Sequence, residues 1–419
     1  MSLIAVTWGT RWRVPIILAV TVFVNFLDRN NLALALPKIA QDFSWSDREI
    51  GSHGEVLLAA FFLSYALSNM LLSPLAERFG PKRSVIVAIA AFSVFTFLSA
   101  PLGQSLIALV ILRLLLGLGE GVHIPMLSAI TSRWFPVNER SRANAIWGVG
   151  ITLATAVAPL LLIPLIQALG WRPMFAVLGT VGMLCSIPLV WLWVEDAPDR
   201  KYGVSETELA YIHAGQGQVA QALIQTPQLR YRRDRRFWLT VLGGTLNSFC
   251  AFGTLNWLPT YFNRAKGIDF EQLGWPLALI FVAGIAGMLV MSYWGDKLQH
   301  RIRLAGIGFL VAGIMVYVAS SVNTVGLLVL FFAIAVFFQS AYGAQEYAIV
   351  QHLLPADRVG AGTGLYNGLS VLLGGVGGSL IPGTIVAMTG SFDIAILSIV
   401  AGALLASLTL FILMRWVRY

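Results

Sequence analysis

Apolar residues run along this chain in long continuous stretches separated by short polar segments, and twelve such stretches can be counted. They lie near residues 14–36, 52–74, 83–100, 105–128, 141–168, 173–194, 237–261, 272–295, 303–321, 325–352, 360–388 and 393–415. A helix needs about 20 apolar residues to cross the hydrocarbon core of a bilayer, so each stretch predicts a membrane-spanning helix. A β-barrel would instead show segments of about ten residues with alternating polarity, and these runs do not alternate. The first stretch is full length and flows into Asn30 and Asn31 without a small-residue cleavage site, so it reads as a helix and not a signal peptide.

Composition supports the same class. Of 419 residues, 57% are apolar and 11% charged, and the mean hydropathy is +0.77. Soluble proteins carry roughly 25% charged residues, which excludes a soluble globule, and the aromatic content excludes a disordered chain. Cys185 and Cys250 sit in apolar stretches and make neither a disulfide framework nor a cysteine-rich zinc site; no metal and no cofactor is expected. The formal charge of +8 is a topological signal. Of the 28 Lys and Arg, 21 fall on the side that holds both termini, and only Lys38, Arg48, Arg172, Arg264 and Lys266 fall on the other. Positive charge stays inside, so both termini are expected in the cytoplasm, and nucleic acid is not an expected partner.

Residues 195–236 form the one long polar segment, and its end, Arg230-Tyr-Arg-Arg-Asp-Arg-Arg236, is a basic patch suited to anionic lipid. It divides the chain into an N-terminal unit, 1–194, and a C-terminal unit, 237–419, of six spans each. The two units repeat one another. Leu75-Ala-Glu-Arg-Phe-Gly-Pro-Lys-Arg83 follows the second span, and Trp294-Gly-Asp-Lys297 follows the eighth. Glu77 and Asp296 stand 219 residues apart, as do Pro136 and Pro355 in the loops after spans four and ten. Two matches at one offset argue for a duplicated six-helix unit with its site near the midplane between two bundles. The repeated loop charges Glu77, Arg78, Arg83, Asp296, Arg140 and Arg358 are candidates for pairs that hold helix ends together in one state and release them in another. Over the whole chain this pattern resembles the major facilitator superfamily, with Ser73 standing where the loop signature usually has glycine. The expected fold is all-α, twelve transmembrane helices in two pseudo-symmetric bundles, acting as a monomer.

A charge at the centre of a span costs about 2.5–3.5 kcal/mol on insertion scales, so the few present point to function. They are Asp28 and Arg29 in the first span, Arg113 and Glu120 in the fourth, and Glu346 in the tenth. Arg113 and Glu120 are seven residues apart, which returns the side chain to nearly the same helix face about 10 Å along. His123 shares the face of Glu120. Asp28 and Arg29 could line one cavity, or Asp28 could pair with Arg113. Arginine keeps its charge and offers a planar fork to a carboxylate, whereas a partly desolvated acid can take up a proton. These parts suit an anion moved together with protons.

Asn25-Phe-Leu-Asp28-Arg29-Asn30-Asn31-Leu32, Arg113-x-x-x-Gly117-x-x-Glu120 followed by Pro125, and Trp134-Phe135-Pro136-x-x-Glu139-Arg140 resemble motifs of the anion:cation symporter branch. That branch includes the galactonate and hexuronate permeases and the sialin and vesicular glutamate transporters. The resemblance implies proton-coupled import of a small organic anion, a sugar acid or other carboxylate. It implies substrate binding by Arg29, Arg113, Tyr65 and Asn367 and proton coupling at Asp28 and Glu120. The short compact loops and permease-like length point to a bacterial inner membrane. His123 and Glu346 are candidates for coupling or gating. Phe26 and Ile151 replace more polar residues of the galactonate carriers and favour a less hydroxylated acid. No ATP-binding loop occurs, and the five dispersed histidines offer no enzyme site. An exchanger or efflux carrier on the same fold, or a non-transporting sensor, are the other readings.

Overall fold

The computed structural model describes residues 9–200, 204–222, 233–298, 300–353 and 365–417; within these, the side chains of 137, 138, 140–142, 200, 215–222, 292, 296, 344, 347, 348, 351 and 352 are left undescribed. Its long helices are α1 (Arg13–Asp42), α2 (Asp47–Leu71), α3 (Pro81–Leu102), α4 (Leu106–Trp134), α5 (Val137–Leu169) and α6 (Trp171–Trp193). The second half adds α7 (Arg235–Arg264), α8 (Gly274–Leu298), α9 (Arg301–Ser320), α10 (Val325–Leu353), α11 (Leu365–Thr389) and α12 (Phe392–Met414). Among the described residues, eleven stretches are both long and apolar enough to span a membrane. The exception is α7. Its 30 residues suffice in length, but Thr240, Thr245, Asn247, Ser248, Thr254 and Asn256 dilute its apolarity.

The sequence sets the ends of these helices locally. Ser46 and Glu49 form a reciprocal capping box at the start of α2, and Ser105, Asp234 and Ser391 cap α4, α7 and α12. Gly80 at φ 101° turns the chain sharply into α3. Apolar side chains such as Val87, Ile107, Leu184, Leu289 and Met388 stand exposed around the outside, each more than 60% accessible, as a lipid-facing surface requires. The core holds small residues and aromatic rings between helices.

The halves meet through α1 with α7, α2 with α11, and α5 with α8. Glycine makes the tightest of these contacts possible. A Cβ on Gly51 would lie 2.5 Å from the Ala387 nitrogen and 2.7 Å from the Gly383 oxygen, so α2 and α11 touch backbone to backbone. Thr384 donates to Glu55 across the same contact at 2.6 Å. Lys38 lies over the Phe270 ring, and Arg264 approaches Asp47 at 3.9 Å. All four contacts lie at the ends of the halves opposite the linker, called the outer ends below. The eleventh span packs as closely on α7. Gly374 and Gly378 rest on the α7 backbone, beside a π-helical turn at Ser370–Gly375.

One described stretch of the linker forms a helix. Glu206–Ala222 is helical, including Gly215 and Gly217. It docks on the N-terminal half, where Arg11 bonds Glu208 at 2.9 Å and Glu139 at 3.0 Å, and Tyr211 donates to Glu139. Of the basic patch, Arg230 and Arg232 lie outside the described residues.

Candidate functional site

Four charges expected in the first bundle come together in its interior. Gly117 lets this happen. A Cβ there would fall 2.5 Å from the Phe61 oxygen and 3.0 Å from the Tyr65 nitrogen, so α4 can lie directly on α2. That approach places Glu120 against Arg29. Arg29 Nε donates to Glu120 Oε1 at 2.8 Å, and Nη2 closes an ion pair on the same oxygen. The guanidinium is walled by three rings, Phe26 at 4.3 Å, Tyr65 at 4.5 Å and Phe61 at 5.3 Å. Each ring presents a negative face to the cation and excludes water from it. Glu120 is fully buried, and its other oxygen has no hydrogen-bond partner among the described residues.

The second pair is indirect. Asp28 does not touch Arg113. Asn31 stands between them, donating to Asp28 Oδ1 at 2.6 Å and accepting from Arg113 Nη2 at 2.8 Å, while Thr96 of α3 donates to Asp28 Oδ2 at 2.5 Å. Of the two arrangements open from sequence for Asp28, neither direct pairing nor an open cavity wall is what forms. Asp28 and Arg113 are 3% and 5% exposed, so both are enclosed by the bundle. Arg113 and Glu120 do share the buried face of α4, but Glu120 spends its bond on α1.

Asn31 stands in the first-helix motif without a role of its own there, and the sequence does not mark Thr96 or Phe61. Asn31 carried a signal, since it lies three residues after Asp28 on one helix face. Thr96 carried none, because only the folded bundle brings this α3 side chain to Asp28. His123 is fully buried with both ring nitrogens unpartnered and stands edge-on to Phe92, so no relay bond runs through it among the described residues. Asn25 is likewise buried, with its side-chain amide close to Glu120.

In the other half, Asn367 is half-buried and makes no hydrogen bond among the described residues. Its neighbour Gly368 faces Met70, where a Cβ would lie 3.3 Å from the Met70 Cγ. Asn367 thus sits more than a turn towards the linker side of Tyr65. Phe62 and Phe252, with ring centroids 4.4 Å apart, join the halves beside the Arg29 cage. A small cavity between the halves is lined by Asn30, Thr155, Pro159, Pro259 and Phe281. Glu346 accepts from Tyr366 at 2.7 Å.

Among the loop charges, Glu77 approaches Arg133 of the same half at 3.9 Å, and both are well exposed. Lys82 bonds Glu195 at 2.7 Å, and its amide donates to Asp196, which ties the start of α3 to the end of α6. Arg78 and Arg83 are exposed and make no ion pair among the described residues. The side chains of Arg140 and Asp296, and all of Arg358, lie outside the described residues.

No cluster of His, Cys, Asp and Glu among the described residues could hold a metal. What the arrangement offers is paired, desolvated charge, suited to exchanging a carboxylate partner on an arginine.

Known proteins frame that geometry. The chain matches the Major Facilitator Superfamily over residues 18–379 and 261–418. It is 31% identical to a protein named probable sulfoacetate transporter from Cupriavidus necator, over 94% of this chain and 91% of that one. It is 26% identical to a probable galactarate/D-glucarate transporter of Bacillus subtilis, covering 97% and 92%, and 26% identical to a D-galactonate transporter of Escherichia coli O6:H1, covering 97% and 96%. Among solved structures, a bacterial homolog of the human lysosomal transporter Spinster superposes with a TM-score of 0.79 at 17% identity, covering 96% of each chain. With its two helical bundles and a family match along nearly its whole length, the chain belongs to the Major Facilitator Superfamily, as a membrane transporter resembling sugar-acid permeases and not an enzyme.

Proposed function

We propose that this transporter imports a small organic anion together with protons, working as a monomer by alternating access in a bacterial inner membrane with both termini in the cytoplasm. The observation that carries the reading is the buried Arg29–Glu120 pair in its aromatic cage. An arginine whose counterion is an acid can trade that counterion for a substrate carboxylate once the acid is protonated. The order follows from charge. Proton uptake at Glu120 frees Arg29, the anion takes its place, and the cavity remains close to neutral while the halves move. Asp28 and Arg113, bridged by Asn31, form a second charged layer behind the first. Phe26 and Phe61 around Arg29 leave few hydrogen-bonding groups for a polyol. This favours a compact carboxylate or sulfonate over a long hydroxylated chain, in keeping with the sulfoacetate relative.

The test is Glu120→Gln in proteoliposomes, with sulfoacetate, D-galactonate and D-glucarate as probes. Wild-type protein should accumulate one of these acids against its gradient when the outside is acidic. The variant should lose that accumulation while keeping exchange of the same acid across the membrane. Uphill, pH-driven uptake retained by Glu120→Gln removes Glu120 from proton coupling. Wild-type uptake that moves no protons and requires an internal anion makes the protein an exchanger instead.

A further inference from the structure

A carboxylate far from the Arg29 cage remains outside this scheme. Glu346 lies in α10, seven residues before that helix ends at Leu353 on the linker side. Tyr366 of α11 donates to Glu346 Oε1 at 2.7 Å, and its oxygen stands 2.9 Å from the Tyr342 hydroxyl. Since the Tyr366 proton is committed to the carboxylate, Tyr342 donates in turn to Tyr366. The Tyr342 hydroxyl also lies 3.4 Å from the Thr240 carbonyl of α7. The result is a directed chain, Tyr342 to Tyr366 to Glu346, with both tyrosines fully buried.

The surroundings are shaped to hold this chain. A Cβ on Gly244 would lie 2.5 Å from the Tyr366 ring carbon Cζ, and one on Gly243 would lie 3.4 Å from the Tyr342 hydroxyl. The Gly243-Gly244 pair therefore gives the tyrosine hydroxyls their room against α7. Among the described residues, the groups around the tyrosine pair are uncharged: α7 contributes Thr240 and glycine, α11 the Ser370 hydroxyl, which has no partner there, and α12 Leu410. Arg301 of α9, a helix packed on α10, donates to Gln345 at 3.1 Å, and Gln345 also bonds the Met291 carbonyl of α8. No cation pairs with Glu346 among the described residues. A carboxylate with one donor and no countercharge, set among apolar helices, can shed its charge only by taking a proton.

We infer that Glu346 is a second proton-carrying site, in the C-terminal half, loading and unloading on the linker side. The inference rests on the proton-coupled reading above for its role in transport, but the protonation itself is independent of it. The site joins α7, α10 and α11, so its charge state bears on how these three helices pack at the end opposite the outer contacts. The N-terminal cluster gives up its proton as an anion leaves Arg29; Glu346 handles a proton with no anion beside it.

The experiment has two arms. Infrared difference spectra of the purified full-length protein, taken between about pH 5 and about pH 9, report protonated carboxyl groups through their C=O band. Glu346→Gln should remove one component of that band, and Tyr366→Phe should keep the component but shift its frequency, because the hydrogen-bond donor is lost. In proteoliposomes containing a pH dye, wild-type uptake of the accumulated acid should consume protons, and Glu346→Gln should consume fewer per anion while counterflow stays within about threefold of wild type. A carboxyl band unchanged in Glu346→Gln, or a proton-to-anion ratio equal to wild type, overturns the inference. If Glu346→Gln does not fold, an unshifted band in Tyr366→Phe overturns it equally. Wild-type uptake without any proton movement sinks the symport reading, and the infrared arm still decides whether Glu346 titrates.

Discussion

Replacing Gly383 by alanine probes whether the outer contact between the halves is one of two alternating arrangements. A Cβ at Gly383 would lie 2.7 Å from Trp257 Cζ2, 2.9 Å from the Gly51 oxygen, and against the Glu55 Cβ. Ordinary carbon contacts are about 3.5–4.0 Å, so α2 and α11 would have to separate by about 1 Å. One obstacle is backbone and another a buried tryptophan 2% exposed, so neither swings aside as a flexible side chain would. Separation also stretches the 2.6 Å bond from Thr384 to Glu55. Overpacking of this kind costs about 1–3 kcal/mol. If the outer ends part in the opposite state, that state does not bear the cost, and its population rises about 5- to 150-fold. The assay is pulsed electron paramagnetic resonance on spin labels at Gln104 and Val325, exposed at the outer ends of the two halves, with Cys185 and Cys250 replaced. The distance distribution should gain a longer component in Gly383→Ala. A lower melting temperature with an unchanged distribution would show that α2 and α11 keep this contact in every state, and the reasoning would fail.

Arg11→Ala should strand the carboxylates of Glu139 and Glu208, both with side chains under 10% exposed, and lower stability by about 3–5 kcal/mol. Thermal unfolding in detergent and protease cleavage within Glu206–Ala222 read this out, and an unchanged melting temperature with an intact linker helix would refute it. Asn31→Leu keeps side-chain volume but breaks the bridge from Arg113 to Asp28, leaving two enclosed charges without their shared partner. Transport should fall at least tenfold, corresponding to about 1.4 kcal/mol of transition-state stabilisation, while the outer contacts persist. Wild-type uptake by Asn31→Leu would show the bridge to be incidental.

The spans, the two halves and the side on which basic residues gather were legible because transfer into a bilayer is local and additive. Each stretch of about 20 apolar residues satisfies its own backbone as a helix whatever its neighbours do. α7 was legible from length even where its polar residues weaken the signal, because Thr, Ser and Asn side chains find partners inside a bundle, as Asn256 does with Ser379. The presence of charge at mid-span was equally readable, since so costly a feature stands out in an apolar run.

Pairing was not readable, because it depends on how helices rotate and how closely they approach. Glu120 faces Arg29 only because Gly117 lets α4 lie on α2, and Asp28 reaches Arg113 only through Asn31. Glu346 looked solitary along the chain, yet α11 brings Tyr366 to it across 20 residues of separation. The polar stretch 195–236 read as a linker, but Arg11 draws a helix out of it onto the first bundle through charges that lie 197 residues apart. Hydrophobicity is a property of a segment and survives in the sequence. The partner of a buried charge is a property of three-dimensional packing, and only the folded chain decides it.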